Sequence, residues 1–180
     1  MGKHQKHAKL KLRENDNFAF NEVSIVGTKC DVIANLVNQV AKKLTNFKIA
    51  YFDASHNDAI ESKAFEKFVF HHKGTAKIEI NSTVNKFNQR IQLSQYDLLF
   101  INGNHYEGAK QILILDNDKE ASVLKRLDQL KNIQFVIKLT DDSKYFDFLV
   151  EHNPQIKNLL CYNIDDIVGI SKHIENLIQQ

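Results

Sequence analysis

The sequence predicts a three-layer α/β fold on a mainly parallel sheet, with a β-hairpin insertion, and three observations predict it. Strand-like apolar runs alternate with helical stripes from Glu22 onward, the pattern that packs crossover helices on both faces of a parallel sheet. One run, Asp97-Leu98-Leu99-Phe100-Ile101, is almost wholly apolar, as suits a strand covered on both sides. Finally, Val23, Ile25 and Val26 lead through a tight Gly27-Thr28-Lys29-Cys30 connection straight into an amphipathic helix. Such a junction brings unpaired backbone N–H groups and the positive end of a helix dipole to the strand's carboxyl end, where phosphate groups usually sit.

Composition narrows the classes. With 180 residues, 43% apolar and 26% charged, the chain can bury one core of its own and reads as one domain. A net charge of +2 is too small to point to a nucleic-acid partner. The one basic cluster is an N-terminal arm, residues 1–17, where Lys3, Lys6, Lys9, Lys11 and Arg13 are interleaved with His4 and His7. A solvated arm, contact with phosphate, and a metal shared by the two histidines all stay open for it. Cys30 and Cys161 stand far apart, and no apolar run has the length of a signal peptide or membrane span. A reduced, cytoplasmic setting with no membrane partner is the expectation.

Phe18 and Phe20 open the folded domain, expected over residues 18–180. After the first strand, Ile33, Leu36, Val37, Val40 and Leu44 recur with a helical period, and Asp31 is the expected N-cap. Lys48 to Phe52 reads as a second strand, parallel to the first because a helix intervenes. It ends in Asp53-Ala54-Ser55-His56. Asp53 can hold a magnesium ion or a sugar hydroxyl, or cap the next turn, and His56 can contact an anion.

From Phe65 to Ile80 the rhythm changes: Phe68 and Phe70 alternate, His71-His72-Lys73-Gly74 has turn chemistry, and Ile78 and Ile80 alternate again. That predicts a hairpin at the sheet edge. His71 and His72 suggest a metal pair by composition, but adjacent side chains in a strand or turn point apart. A short helix is expected over residues 85–94, with Phe87 and Ile91 on its apolar face.

The later elements continue the alternation. Gln111 to Leu115 is a buried strand, Asp116-Asn117-Asp118 a turn and cap, and Val123, Leu124, Leu127 and Leu130 one helix. Phe135 to Ile137 is a strand, and Tyr145, Phe148 and Leu149 mark a helix that stops before Pro154. Leu159 to Cys161 is the last strand, Asn163 the expected cap, and Ile167, Ile170, Ile174, Leu177 and Ile178 stripe a closing helix. The polar end directly behind it reads as the edge of a domain, the N-terminal one of a longer protein.

The chemistry concentrates at the strand ends. A phosphate cradle of the form G-x-x-x-x-G-K-[S/T] needs a second Gly, a Lys and a hydroxyl residue in register after Gly27, but Val32, Ile33 and Ala34 stand there. Lys29 lies inside the turn without a preceding Gly. In nucleotide hydrolases a strand such as Asp97–Ile101 ends in a carboxylate that orients magnesium and water; here Asn102 has the reach but not the charge, and Glu107 is the nearest substitute. Gly27, Thr28 and Cys30, Asp53 and His56, and Asn102, Asn104 and His105 all follow strands expected to be neighbours, so they converge where open α/β sheets bind ligands. Cys30, His56 and His105 could alternatively hold a metal.

The order of strand, glycine turn and helix, a strand with a His-bearing end, a hairpin, then D-L-L-F-I-N-G and K-Q-I-L-I-L closely resembles the MobB-type accessory protein of molybdopterin-guanine dinucleotide biosynthesis. Asp97 to Gly103 and Lys110 to Leu115 fit that family's late motif, with Asn102 where the family has Glu. The resemblance implies a P-loop NTPase-like fold. The family's opening motif is a full phosphate loop binding GTP, from which Gly27 to Ala34 departs. K-H-Q-K-H-A-K-L, G-T-K-C, D-A-S-H and N-G-N-H are further similar to the N-terminal region of fused bacterial proteins whose C-terminal half resembles the MobA-type molybdenum cofactor guanylyltransferase. That implies a guanylyltransferase domain as partner, in cis or in trans, and GTP with Mg2+ or a molybdopterin as ligand. The transferase's own L-A-G-G-x-S-x-R-M-G loop is absent from these residues, so nucleotidyl transfer would belong to the other domain. Two functions stay open: a non-hydrolysing ligand-binding accessory domain, and a docking or dimerisation module with a vestigial pocket.

Overall fold

The computed structural model describes residues 19, 21–54, 65–71, 74–80 and 86–179. In chain order it comprises β1 (Glu22–Val26), α1 (Cys30–Lys43), β2 (Ile49–Ala54), β3 (Phe65–His71), β4 (Gly74–Ile80), α2 (Lys86–Leu93), β5 (Leu98–Asn102) and β6 (Lys110–Leu115). There follow α3 (Glu120–Leu124), β7 (Ile133–Lys138), α4 (Asp147–His152), β8 (Cys161–Asn163) and α5 (Ile167–Ile178). The strands form one eight-stranded sheet in the order β4-β3-β2-β5-β1-β6-β7-β8. From β2 to β8 every pair is parallel, and the β3–β4 hairpin extends the β2 side antiparallel. This is the three-layer, P-loop-like architecture with a hairpin insertion that the sequence predicts. The basic arm, Phe18, Phe20, His56 and His72 lie outside the described residues.

The period of two along each strand explains the layers. Ile49 and Tyr51, Leu98 and Phe100, and Ile112 and Ile114 face one core with the stripes of α1 and α5. Their alternates Ala50, Phe52, Leu99 and Ile101 form a second cluster with Leu93, and Leu113 and Leu115 a third with Val123, Leu149 and Ile156. Tyr51, Phe52, Phe100 and Phe135 are fully buried, and aromatic side chains so placed are each worth about 3–5 kcal/mol against alanine.

Several local readings are corrected. The N-cap of helix α1 lies two residues earlier than expected: it is Lys29, without a side-chain bond, and Asp31 sits in the first turn, its Oδ1 accepting from Val32 N–H at 2.9 Å. Asp53 lies within β2, not past its end. On α2, Leu93 is buried while Ile91 is exposed, so the apolar face was misjudged. The single helix expected through Leu130 is broken into α3 and a 3-10 turn, Leu127–Gln129, with Leu124 exposed. The last strand runs Cys161–Asn163, and Asp166 rather than Asn163 caps α5, accepting from Gly169 N–H.

Candidate functional site

The sheet order sets the site. Strand β1 lies between β5 and β6, and β2 is on the far side of β5, so the carboxyl ends of β1, β2, β5 and β6 lie side by side at one edge, where open α/β sheets place ligands. Gly27 makes the turn there with φ of 105°, and a Cβ on it would overlap the Ile114 carbonyl oxygen. Glycine is required on both counts. The turn aims buried Thr28 at the end of β6, where its Oγ1 donates to Asp116 Oδ2 at 2.7 Å. Asp116 Oδ1 accepts from Asp118 N–H at 3.1 Å. Thr28→Val, which removes one of these two bonds to a buried carboxylate, is expected to lower stability by about 1–3 kcal/mol, read as a lower urea midpoint; an unchanged midpoint would show the bond to be incidental.

Asp53 is the hub of the next layer. It is buried, and it accepts from Tyr51 O–H (2.8 Å), Asn102 Nδ2 (2.9 Å) and Ala54 N–H (2.7 Å). Burial first, and Asp53's charge second, push the Tyr51 hydroxyl far above its ordinary value, which keeps it a donor. Asn102, fully buried, turns its Oδ1 to Asn104 N–H at 3.0 Å. Asn104 in turn donates from Nδ2 to the Thr28 carbonyl at 2.7 Å. Arg126 grips Asn104 from the other side, Nη1 to Oδ1 at 3.1 Å and Nη2 to the carbonyl at 2.9 Å. Burial lowers the Arg126 guanidinium from its ordinary value, and Cys30 acts in the opposite sense.

Cys30, half-buried at the first position of α1, has its Sγ 3.3 Å from His105 Nε2. The same nitrogen is 3.6 Å from Asp53 Oδ1, and Asn104 Nδ2 is 3.8 Å from the sulfur. Of the sequence candidates, Thr28, Cys30, Asp53, Asn102, Asn104 and His105 are thus one connected network, shaped by Gly27. Lys29 is exposed, and His56 lies outside the described residues. Among the described residues no group of three or more His, Cys, Asp and Glu could hold a metal ion. Glu107, the substitute carboxylate, lines a separate hollow with Ser24, Gln111 and Arg126; burial raises its carboxyl, with Lys131 opposing.

Sequence reasoning missed Arg126, Tyr51 and Asp116 as parts of the site. Asp116 was expected only in a turn and cap, which it forms by accepting from Asp118 N–H, and Tyr51 only in a strand. A hollow of about 350 Å3 lies beside the first turns of α1, where Asp31, Asn35, Gln39 and Asp165 offer polar groups and Leu36 and Ile164 apolar walls.

The fit to magnesium–GTP fails in the loop itself. Three residues separate β1 from α1, the Thr28 hydroxyl and carbonyl are both engaged, and the first α1 turn has Val32 N–H bonded to Asp31. A triphosphate cradle needs a longer loop with free N–H groups and a lysine. Among the described residues no helix is long and apolar enough to cross a membrane. No protein-family model matches the chain, and no curated protein matches it.

Proposed function

We propose that this chain is a non-hydrolysing accessory domain of molybdenum cofactor biosynthesis, acting in the cytoplasm beside a guanylyltransferase domain in cis or in trans. The observation that carries the reading is a fixed polar network at the carboxyl ends of adjacent strands; a hollow of about 350 Å3 with no lining residue in common with that network lies beside α1. That volume is within the range of small-molecule sites. Its mix of carboxylates, amides and aliphatic walls suits a flat, hydrogen-bonding heterocycle such as a pterin or guanine. The engaged loop, the misplaced Lys29 and the neutral Asn102 support binding without hydrolysis. A docking module is the second reading, favoured by the fact that Asn104 is already bonded to both the Thr28 carbonyl and Arg126.

Calorimetric titration of GTP, with and without magnesium, followed by molybdopterin or a stable pterin analogue, separates the two. The expected result is saturable binding of one of these ligands, no phosphate released from GTP, and affinity at least about tenfold weaker, a loss of about 1.4 kcal/mol, in His105→Ala or Asp53→Ala. No heat with any ligand would retire the ligand-binding reading and leave docking, which light scattering with a guanylyltransferase partner would then examine.

A further inference from the structure

The network holds a nucleophile next to a base, and nucleotide or pterin binding requires neither a nucleophile nor a proton acceptor. An inert cysteine is packed among apolar groups. Cys30 instead has an imidazole nitrogen at 3.3 Å and an amide nitrogen at 3.8 Å, with the Arg126 guanidinium bonded to that same amide side chain. Nucleophile and base within hydrogen-bond reach, with the base held by a third group, is the geometry of an activated thiol. The third group here is Asp53, 3.6 Å from the same His105 nitrogen. It therefore stabilises the imidazolium once Nε2 has taken a proton, which differs from a relay through the opposite ring nitrogen.

We propose that Cys30 and His105 form a nucleophile–base pair that reduces small hydroperoxides, making Cys30 a site of sulfenic acid formation. His105 Nε2 takes the thiol proton while Sγ attacks one peroxide oxygen. The S–O bond forms and the O–O bond breaks with its electron pair on the leaving oxygen, which recovers the proton from His105 and departs as water. Sulfur loses two electrons and the peroxide gains them, so the step balances with hydrogen peroxide as the oxidant. The choice of a small electrophile follows from access: Cys30 is half-buried, with His105 and Asn104 against its sulfur, which favours a compact hydroperoxide over a peptide disulfide.

Cys161, exposed on β8, provides the control within the same chain. Access alone would make it the faster thiol. The test treats the purified full chain with hydrogen peroxide, traps sulfenic acid with dimedone, and follows both cysteines by peptide mass spectrometry. Cys30 is expected to react about tenfold or more faster than Cys161, a modest part of what a positioned base contributes. In His105→Ala, Cys30 should become the slower of the two, with the Cys161 rate unchanged as the sign of an intact fold. If His105→Ala alters the Cys161 rate, His105→Gln, which keeps bulk without a base, takes its place. Faster reaction at Cys161 in the parent chain, or a Cys30 rate indifferent to His105, would overturn the pair. Glutathione disulfide modifying Cys30 faster than peroxide does would overturn the assignment to small hydroperoxides. Because no step involves GTP or a pterin, failure of the calorimetric test leaves this proposal standing, and the converse holds.

Discussion

Gly27→Ala is expected to destabilise the domain by about 3–5 kcal/mol, a loss large enough to consume much of the stability of an ordinary domain. Two independent costs add. At φ of 105° an L-residue is strained, which alone costs on the order of 1–3 kcal/mol. The new methyl would also overlap the Ile114 carbonyl and press on Leu113 Cδ1, at the centre of the sheet where backbone cannot yield without shifting the β1–β6 ladder. Urea unfolding measures this as a fall in midpoint at unchanged slope. A loss under about 1 kcal/mol, less than the backbone strain alone should cost, would mean that the turn can relax and that Thr28 and Cys30 are not held as described.

Asn102→Asp is the second large effect, and it reaches the chemistry. It restores a carboxylate at the end of β5, but the replaced Nδ2 donates to Asp53 Oδ1 at 2.9 Å, so a hydrogen bond becomes an encounter of two buried anions. The expected cost at neutral pH is about 3–5 kcal/mol, the range seen when a buried charge is left uncompensated. Like charges so close cannot both ionise easily, so the pair's folded affinity for a proton rises above the unfolded value of about 4. The folded state then binds more protons than the unfolded state above that value. The variant should accordingly come closest to the parent below about pH 4 and lose ground as pH rises through the raised folded value. Chemical denaturation at a series of pH values measures this. A variant that tracks the parent at every pH would show that Asn102 and Asp53 are not in contact. Recovery of the neutral-pH deficit by millimolar magnesium would show that the edge can bind the cation once the carboxylate is returned.

Much of the fold was legible because burial on both faces leaves little choice of residue. Leu98 to Asn102 is buried throughout, and its apolar run announces that directly. The α1 stripe was equally plain, since Ile33, Leu36, Val37 and Val40 all reach the core. The site was legible as a set of strand-end residues but not as a network. Arg126 illustrates why. In a continuous helix through Leu130 it would lie at the margin of the apolar stripe, beside Val123 and Leu130 at i−3 and i+4 spacing. The helix breaks after Leu124, and the irregular turn that follows swings Arg126 onto Asn104, 22 residues earlier in the chain. No local pattern encodes that break, which depends on tertiary packing overriding propensity. Asp31 was misassigned for a related reason: the Gly27 turn puts Lys29 in the extended conformation at the helix start, a placement set by the sheet and not by cap preference.

The placement of the first strand has a consequence for how the chain is made. Strand β1 is central, yet both its partners, β5 and β6, lie in residues 98–115. At ribosomal speed that is a wait on the order of ten seconds, during which Val23, Ile25 and Val26 have α1 to lean on but no ladder to join. Until Asn102 is synthesised the opening strand is an apolar segment with two unsatisfied edges, and until Leu115 it still has one, so its protection in the cell falls to chaperones and to whatever the ribosome surface provides.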